Sequence, residues 1–538
     1  MKPLTARTHL PYGTAQLEVT RQVKASVACG EIACLGFSLL SGAIVEDLEL
    51  FPTLLTSSGG GGSGLTPDLY VVHKWRQAGV GVFQSAPVDV SELLLKDDRE
   101  PLRDAYGRRC GSPFHIHKSR SRYQAPDVRL TGPVRTSMTA GSTKQFWISI
   151  PVPTDARAGS YQGAIQIRDR NASLLELGVE IEVLDLDLVE PAQDAMLWYR
   201  GTINCHHPHH YVRPDVFRIQ LQDIYDHGFR SISLWETDAE RLQQALNVAQ
   251  SVGFSADVIL DGFREPLWSS VDFGKLRPVA YVSDELDAHP DRLDGHVAAM
   301  RHAMNHGVRT MASVLDWRTI ERTMARTSGI LPDVVSVYAP ENQTRLALPA
   351  PRKNGDAEIY YYWQAHMEKP LLHRLLAGLL SWKSGVDGIS PYCYQHLPGF
   401  PYSPFDDFDP WDPSTHHDPL GRHFKDHMAT YPARRGVIHT LQWKGLADGL
   451  TDLRYLATLN SAIESAETSV DPEMRERAGA ARGRLAAKLD KIQWTEVDIL
   501  SENSAEPYSD FDGNDVVAVR EAIVGELTEL AGSVAAQH

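Results

Sequence analysis

Cysteine is scarce in this chain. Cys29, Cys34, Cys110, Cys205 and Cys393 are scattered, and none forms a CxxC pair. That spacing points to neither a zinc knuckle nor a disulfide framework. No apolar run reaches the roughly 20 residues of a membrane span. The first residues, MKPLTARTHLPYGTAQLEVT, lack the apolar core of a secretory signal. The sequence therefore suggests a cytoplasmic protein, unless a leader has been removed. Positive charge is also in short supply, with 53 Lys and Arg against 69 Asp and Glu and a net charge of −16. No basic cluster interleaved with aromatics offsets this, so nucleic acid and anionic membranes are not expected partners. GxGxxG is missing after every predicted strand, and HExxH is missing altogether, so nothing supports a dinucleotide or a zinc-protease reading. No cofactor is expected and no metal is assigned.

With 538 residues the chain is too long for one core. Residues 1–190 read as all-β. Segments at 16–20, 25–28, 44–50, 70–73, 145–150, 161–167 and 177–183 alternate apolar and polar residues between turn-rich stretches, which predicts an antiparallel β-sandwich. Ser57 to Gly64 reads as a flexible glycine-rich loop and not a phosphate cradle, because no Lys or helix follows in register. Arg99 to Arg122 reads as a surface loop.

After Pro191 strands and helices alternate. Strands are expected at 196–199, 231–235, 257–260, 278–282, 310–315, 334–338, 358–363 and 387–392. Helices are expected at 214–227, 238–252 and 369–384. Eight βα units over residues 191–470 predict a (β/α)8 TIM-like catalytic barrel. A Pro-, Asp- and His-rich loop at 398–432 follows, then helices at 444–466, 472–492 and 514–531. The last two make residues 471–538 a C-terminal helical segment packed on the barrel.

Chemistry concentrates where the barrel strands end. Pro278-Val-Ala-Tyr-Val-Ser-Asp284-Glu285-Leu286 runs from an apolar strand into two adjacent carboxylates. Taken alone, such a pair more often caps or solvates a loop. Other strand ends carry Trp198 and Arg200, Trp235 and Glu236, Asp261, Asp316 and Trp317, Tyr338, then Tyr361, Tyr362 and Trp363, and last Tyr392, Tyr394 and Gln395. Aromatic faces for sugar C–H surfaces, with acids and amides for hydroxyls, make one carbohydrate pocket a coherent reading. Metal is the competing chemistry, because His206, His207, His209 and His210 cluster early and His416, His417, His423 and His427 late. Substrate-contacting or surface histidines are the preferred reading.

Ser283-Asp284-Glu285 after an apolar strand resembles the Asp-Glu pair of the glycoside hydrolase family 123 catalytic domain, the β-N-acetylgalactosaminidases. Val437 to Leu456 is similar to that family's late W-E-x-x-x-x-G-x-x-D-Y-x-Y-L signature. Ser381 to Gly388 is similar to its W-x-x-x-G-x-x-G, and Phe146 to Gly163 resembles the sandwich before such barrels. The resemblance implies a retaining exo-acting enzyme on a terminal β-linked amino sugar, with a substrate-assisted oxazoline mechanism. Glu285 would be the general acid/base, and Asp284 would orient the acetamido group. Adjacent acids suit that chemistry, since no enzyme nucleophile need stand about 5 Å from the acid. For both to enter one pocket the backbone must turn at Asp284. The chain departs from the family pattern at Ser390 to Gln395, where a Trp and an Asn are usual, and at Lys444, where a Glu is usual. Two other readings stay open. One is a glycosidase on a sugar without an acetamido group, using Glu236, Asp261 or Asp316 as a second carboxylate; the other is a non-catalytic carbohydrate-binding protein.

Overall fold

The computed structural model describes residues 4–9, 18–57, 59, 63–77, 88–99, 125–170, 172–207, 210–262, 265–316, 330–338, 357–364, 370–396, 428–492 and 513–535. His209, Trp317, His416, His417, His423, His427, most of the predicted loops at 99–122 and 398–432, and part of the glycine run lie outside the described residues.

Two sheets occupy residues 4–184. One runs β1 (Leu4–His9), β3 (Ile32–Ser41), β9 (Thr143–Pro151), β6 (Asp68–Gln77), β7 (Val88–Leu95). The other runs β2 (Gln22–Ala28), β11 (Ala172–Leu184), β10 (Gly159–Asp169), β4 (Val45–Pro52), β8 (Val134–Met138), with β5 (Thr56–Ser57) against β10. Most pairs are antiparallel as expected, but β2 and β11 pair in parallel. Those two strands come from opposite ends of this region, so no hairpin dictates their relative sense. Of the expected strand at 16–20, residues 18–20 are described, and there Val19 bridges Arg7. Strand β3 gives little alternation to read, because seven of its ten residues are buried, five of them in a row.

The second half closes into a barrel of eight parallel strands: β12 (Asp194–Leu197), β13 (Ser231–Ser233), β14 (Asp257–Asp261), β15 (Arg277–Ser283), β16 (Arg309–Val314), β17 (Val334–Tyr338), β18 (Glu358–Tyr362) and β19 (Gly388–Ile389), which returns to β12. Side chains alternate across the wall. Met196, Trp198, Ile259, Val279, Met311, Val334 and Tyr360 form an inner cluster, joined by Trp235, Tyr281 and Tyr392. Leu197, Ile232, Leu260, Ala280, Ala312, Val335 and Tyr361 face the other way, in the core shared with the helices. This parity decides which strand-end residues can line a pocket.

Capping follows the sequence. Asp238 accepts from the Arg241 amide at 2.9 Å and starts the helix Ala239–Val252, and Gly253 ends it at φ 128°. The helix expected over 369–384 breaks into Pro370–Ala377 and Leu379–Ser384 around Gly378. Close packing explains the break. The helix Leu441–Glu467 lies so near that a Cβ at Gly378 would sit 2.7 Å from the Gly449 carbonyl, and one at Gly449 2.5 Å from the Arg374 carbonyl.

That long helix joins the parts. Arg374 pairs with Asp452 at 2.7 Å, Asp452 with Arg520, and Arg520 with Glu31 at 2.9 Å. The Tyr455 hydroxyl donates to Glu31 at 2.8 Å. One buried cluster runs through sheets, barrel and the helices Pro472–Leu489 and Gly513–Ala535. No helix among the described residues is long and apolar enough to cross a membrane.

Candidate active site

Strand β15 delivers the paired acids. Its ladder with β16 shifts between Tyr281 and Ser283, and Glu285 follows at φ +42°. The turn thus falls at Glu285, one residue later than the sequence suggests. A left-handed non-glycine backbone costs about 1 kcal/mol or more and persists only where its surroundings fix it. Here Ser313 Oγ accepts from the Glu285 amide at 2.8 Å, and the Ser313 carbonyl accepts from the Leu286 amide at 3.1 Å.

The turn gives each carboxylate its own hydrogen-bond partners. Tyr281 OH donates to Asp284 Oδ1 at 2.7 Å and lies 2.7 Å from Ser313 Oγ, which is itself 3.3 Å from Asp284 Oδ1. Tyr362 OH donates to Glu285 Oε1 at 3.0 Å, and its ring packs against Tyr338 with centroids 5.2 Å apart. Burial pushes the Glu285 carboxyl above the ordinary carboxylate range, against the Tyr362 hydrogen bond, and the charges of Asp284 and Asp287 add to the rise. Asp287 accepts from the Leu315 and Asp316 amides at 2.9 and 2.7 Å, tying the end of β16 to the same turn. Asp316 and Asp261 are half-buried at their strand ends.

An aromatic wall adjoins the acids. Trp198 meets Tyr281 edge-on at 4.7 Å and stacks on Trp235 at 6.0 Å. The Arg200 guanidinium lies 5.5 Å from the Trp235 ring centre and donates to Tyr392 OH at 3.2 Å. Asp284, Glu285, Trp198, Arg200, Trp235, Tyr338, Tyr362 and Tyr392 are therefore linked through Tyr281 and Glu285 or their neighbours.

Five other candidates point elsewhere. Tyr361 and Trp363 sit on the outer face of β18, where the Trp363 indole donates to His373 Nδ1 at 3.0 Å. Tyr394 is buried and donates to Asp223 at 2.7 Å. Gln395 donates to Thr430 and accepts from Gln220. Glu236 spends its carboxylate on Thr202 Oγ1 and the Ile203 amide, at 2.8 and 2.7 Å. Neighbours in a strand alternate faces, so of Tyr360 to Trp363 only Tyr360 and Tyr362 can point inward. Sequence reasoning missed Ser313 and Asp287 and took Tyr281 for core. The available signal was inward parity one turn from the Asp-Glu pair.

The histidines divide. His207 and His210 have ring centres 5.3 Å apart, and His210 lies 5.8 Å from His396, near the mouth; His206 is exposed. Asp223, His227 and His439 converge closely enough to hold an ion. Their atoms are already engaged: Asp223 bonds both rings and Tyr394, and Lys444 Nζ lies 2.9 Å from His227 Nε2. Burial and the nearby Lys444 hold His439 down at about 4, while the two imidazoles keep Asp223 well below the usual carboxylate range despite its burial. The Lys444 ammonium already places a positive charge beside the cluster, on the ring nitrogen of His227 that faces away from Asp223. Lys444 also lines a cavity of about 420 Å³ with Glu31, Asp194, Arg230 and Arg277, at the N-terminal ends of the strands and away from Glu285.

No family model matches the chain, and no curated protein does. Among solved structures the fold is similar to that of a family 123 glycoside hydrolase from Clostridium perfringens. The TM-score is 0.62 at 11% identity, over 99% of this chain and 100% of that one. At that identity the likeness concerns the fold and nothing finer. A family 39 glycoside hydrolase from Bacteroides cellulosilyticus (11% identity, 61% of this chain and 76% of that one) and a Bacteroides ovatus xyloglucanase (7%, 83% and 100%) both match at TM-score 0.28, which is too low to bear on the site.

Proposed function

We propose that this protein is a glycoside hydrolase that removes a terminal β-linked 2-acetamido sugar, with N-acetylgalactosamine preferred, by substrate-assisted retention. The observation that carries the reading is Glu285, a carboxyl raised by burial and aimed by Tyr362, beside an Asp284 held separately by Tyr281. The barrel and its likeness in fold to a family 123 glycoside hydrolase support it. Within this reading the two sheets form a β-sandwich over residues 1–190, the catalytic barrel spans 191–470, and residues 471–538 form a helical segment packed on it.

In the first step the acetamido oxygen attacks the anomeric carbon as the glycosidic C–O bond breaks, and Glu285 gives its proton to the departing oxygen. Asp284 accepts a hydrogen bond from the acetamido N–H and offsets the positive charge that spreads onto it, leaving an oxazolinium ion paired with the Asp284 carboxylate. In the second step Glu285, now a carboxylate, takes a proton from water. That water attacks the anomeric carbon, the ring opens, and the configuration is retained. Trp235, half-buried and backed by the buried Trp198, offers apolar ring surface to the C–H faces of the sugar.

A thiazoline analogue of N-acetylgalactosamine mimics the cyclised intermediate, so it should inhibit competitively. Hydrolysis that proceeds uninhibited, or that is equally fast on aryl glycosides lacking the acetamido group, would instead assign the work to a second carboxylate such as Asp316 or Asp261.

A further inference from the structure

Three arginines of the barrel region that are wholly or partly buried or sit at strand starts have carboxylate partners. Arg309 pairs with Asp257 at 2.7 Å and Glu358 at 2.9 Å, Arg277 with Asp257 at 2.7 Å, and Arg374 with Asp452 at 2.7 Å. Arg200 differs. It is half-buried at the end of β12, and among the described residues its partners are one phenol and one indole face. A half-buried cation without a counter-charge, which is how the described residues leave Arg200, is costly, and such groups are normally paired. The side chain is nevertheless held in place, since Tyr392 OH takes one of its five N–H donors and Trp235 supports its plane. That leaves most of a planar fork unspent, on the same aromatic wall that leads through Trp198 and Tyr281 to Asp284. His396, packed against Tyr392 at 5.8 Å, gives no compensating negative charge. Burial and then the Arg200 charge push it down to about 4, so it is neutral near pH 7.

We propose that Arg200 is the counter-ion for an acidic group on the bound glycan, a sulfate ester or a carboxylate, so that this pocket selects acidic amino-sugar glycans over neutral ones. A guanidinium fork matches either oxyanion with two parallel N–H···O bonds, and pairing one there supplies a negative charge that the described residues around Arg200 do not. The inference rests on the glycoside hydrolase reading above.

The test compares kcat/KM on 4-nitrophenyl N-acetyl-β-galactosaminide, its 4- and 6-sulfate esters, and a disaccharide joining the same sugar to a uronic acid. At least one acidic substrate should be favoured by about tenfold to a hundredfold, the scale of a charge-assisted pair in a partly desolvated site. Which acidic substrate wins distinguishes sulfate from carboxylate. Arg200→Gln should bring the acidic-to-neutral ratio close to one, Arg200→Lys should restore part of it, and added salt should shrink it in the wild type. A wild type indifferent to the acidic group, or an Arg200→Gln variant that keeps the preference, overturns the inference. If no glycoside is hydrolysed, the hydrolase reading is at fault. Calorimetric binding of N-acetylgalactosamine and its sulfates to wild type and Arg200→Gln then still decides the role of Arg200 by the same ratio.

Discussion

The phenol of Tyr362 donates to Glu285 Oε1 at 3.0 Å, so the proposed acid is aimed by a neighbour three strands away, not by its own loop. This bond favours the ionised carboxyl and partly offsets the burial that raises it. Tyr362→Phe should move the Glu285 pKa further up, because the charged form loses a donor. The alkaline limb of the kcat/KM profile should then shift to higher pH. The rate should fall roughly tenfold to a hundredfold as the carboxyl loses its orientation. An unshifted limb would remove Glu285 from the titration.

Ser313 is the post on which the acidic turn hangs, touching the Glu285 amide, Tyr281 and Asp284. Ser313→Ala leaves a partly buried N–H unsatisfied behind a left-handed residue, which should cost about 1–3 kcal/mol of stability. The rate should fall by roughly an order of magnitude or more, with KM changed less than kcat. Denaturant titration and steady-state kinetics on the same preparation separate the two effects.

Trp363 gives the contrasting case. Its indole is buried in the outer layer and bonded to His373. Trp363→Ala should cost about 3–5 kcal/mol through the cavity it leaves. Protein that remains folded should keep its KM, whereas Trp235→Ala should raise KM. Denaturation midpoints paired with KM check both halves.

Asp452 lies buried between Arg374 and Arg520. Burial alone would raise its carboxyl, but the two guanidinium groups outweigh that and hold it below the ordinary range. With a depressed folded value, its contribution is fully present above the unfolded carboxylate pKa. It is lost as pH falls through the folded value. Asp452→Asn removes the charge that two buried guanidinium groups share, leaving Arg374 with Asp448 at 3.6 Å and Arg520 with Glu31 at 2.9 Å, and should cost up to about 3–5 kcal/mol at neutral pH. The penalty should shrink on acidification, as urea midpoints at descending pH will show.

The barrel was legible because period and punctuation agreed: Asp238 and Gly253 bound a helix as expected, and each strand recurs with its own stop signal. The position of the acidic pair at the end of a barrel strand could also be read, although a loop cap fits the same two residues. Strand parity was harder to read. Tyr361, Tyr362 and Trp363 look alike in sequence, and only register against β17 and β19 turns one of them inward. Ser313 was unreadable because its role depends on a ladder shift between β15 and β16. The signature around Trp443 and Lys444 proved to be packing: glycines that let helices touch, Trp443 in the core, and Lys444 against His227.

The central claim is that Glu285 is the proton donor of a substrate-assisted glycosidase. The direct measurement is kcat/KM of wild type and Glu285→Gln on two aryl N-acetyl-β-galactosaminides, one with a poor leaving group and one with a good one. The account predicts a loss of about a hundredfold to ten-thousandfold on the poor leaving group and a much smaller loss on the good one, which needs little protonation. Equal activity of Glu285→Gln and wild type on the poor leaving group would contradict it.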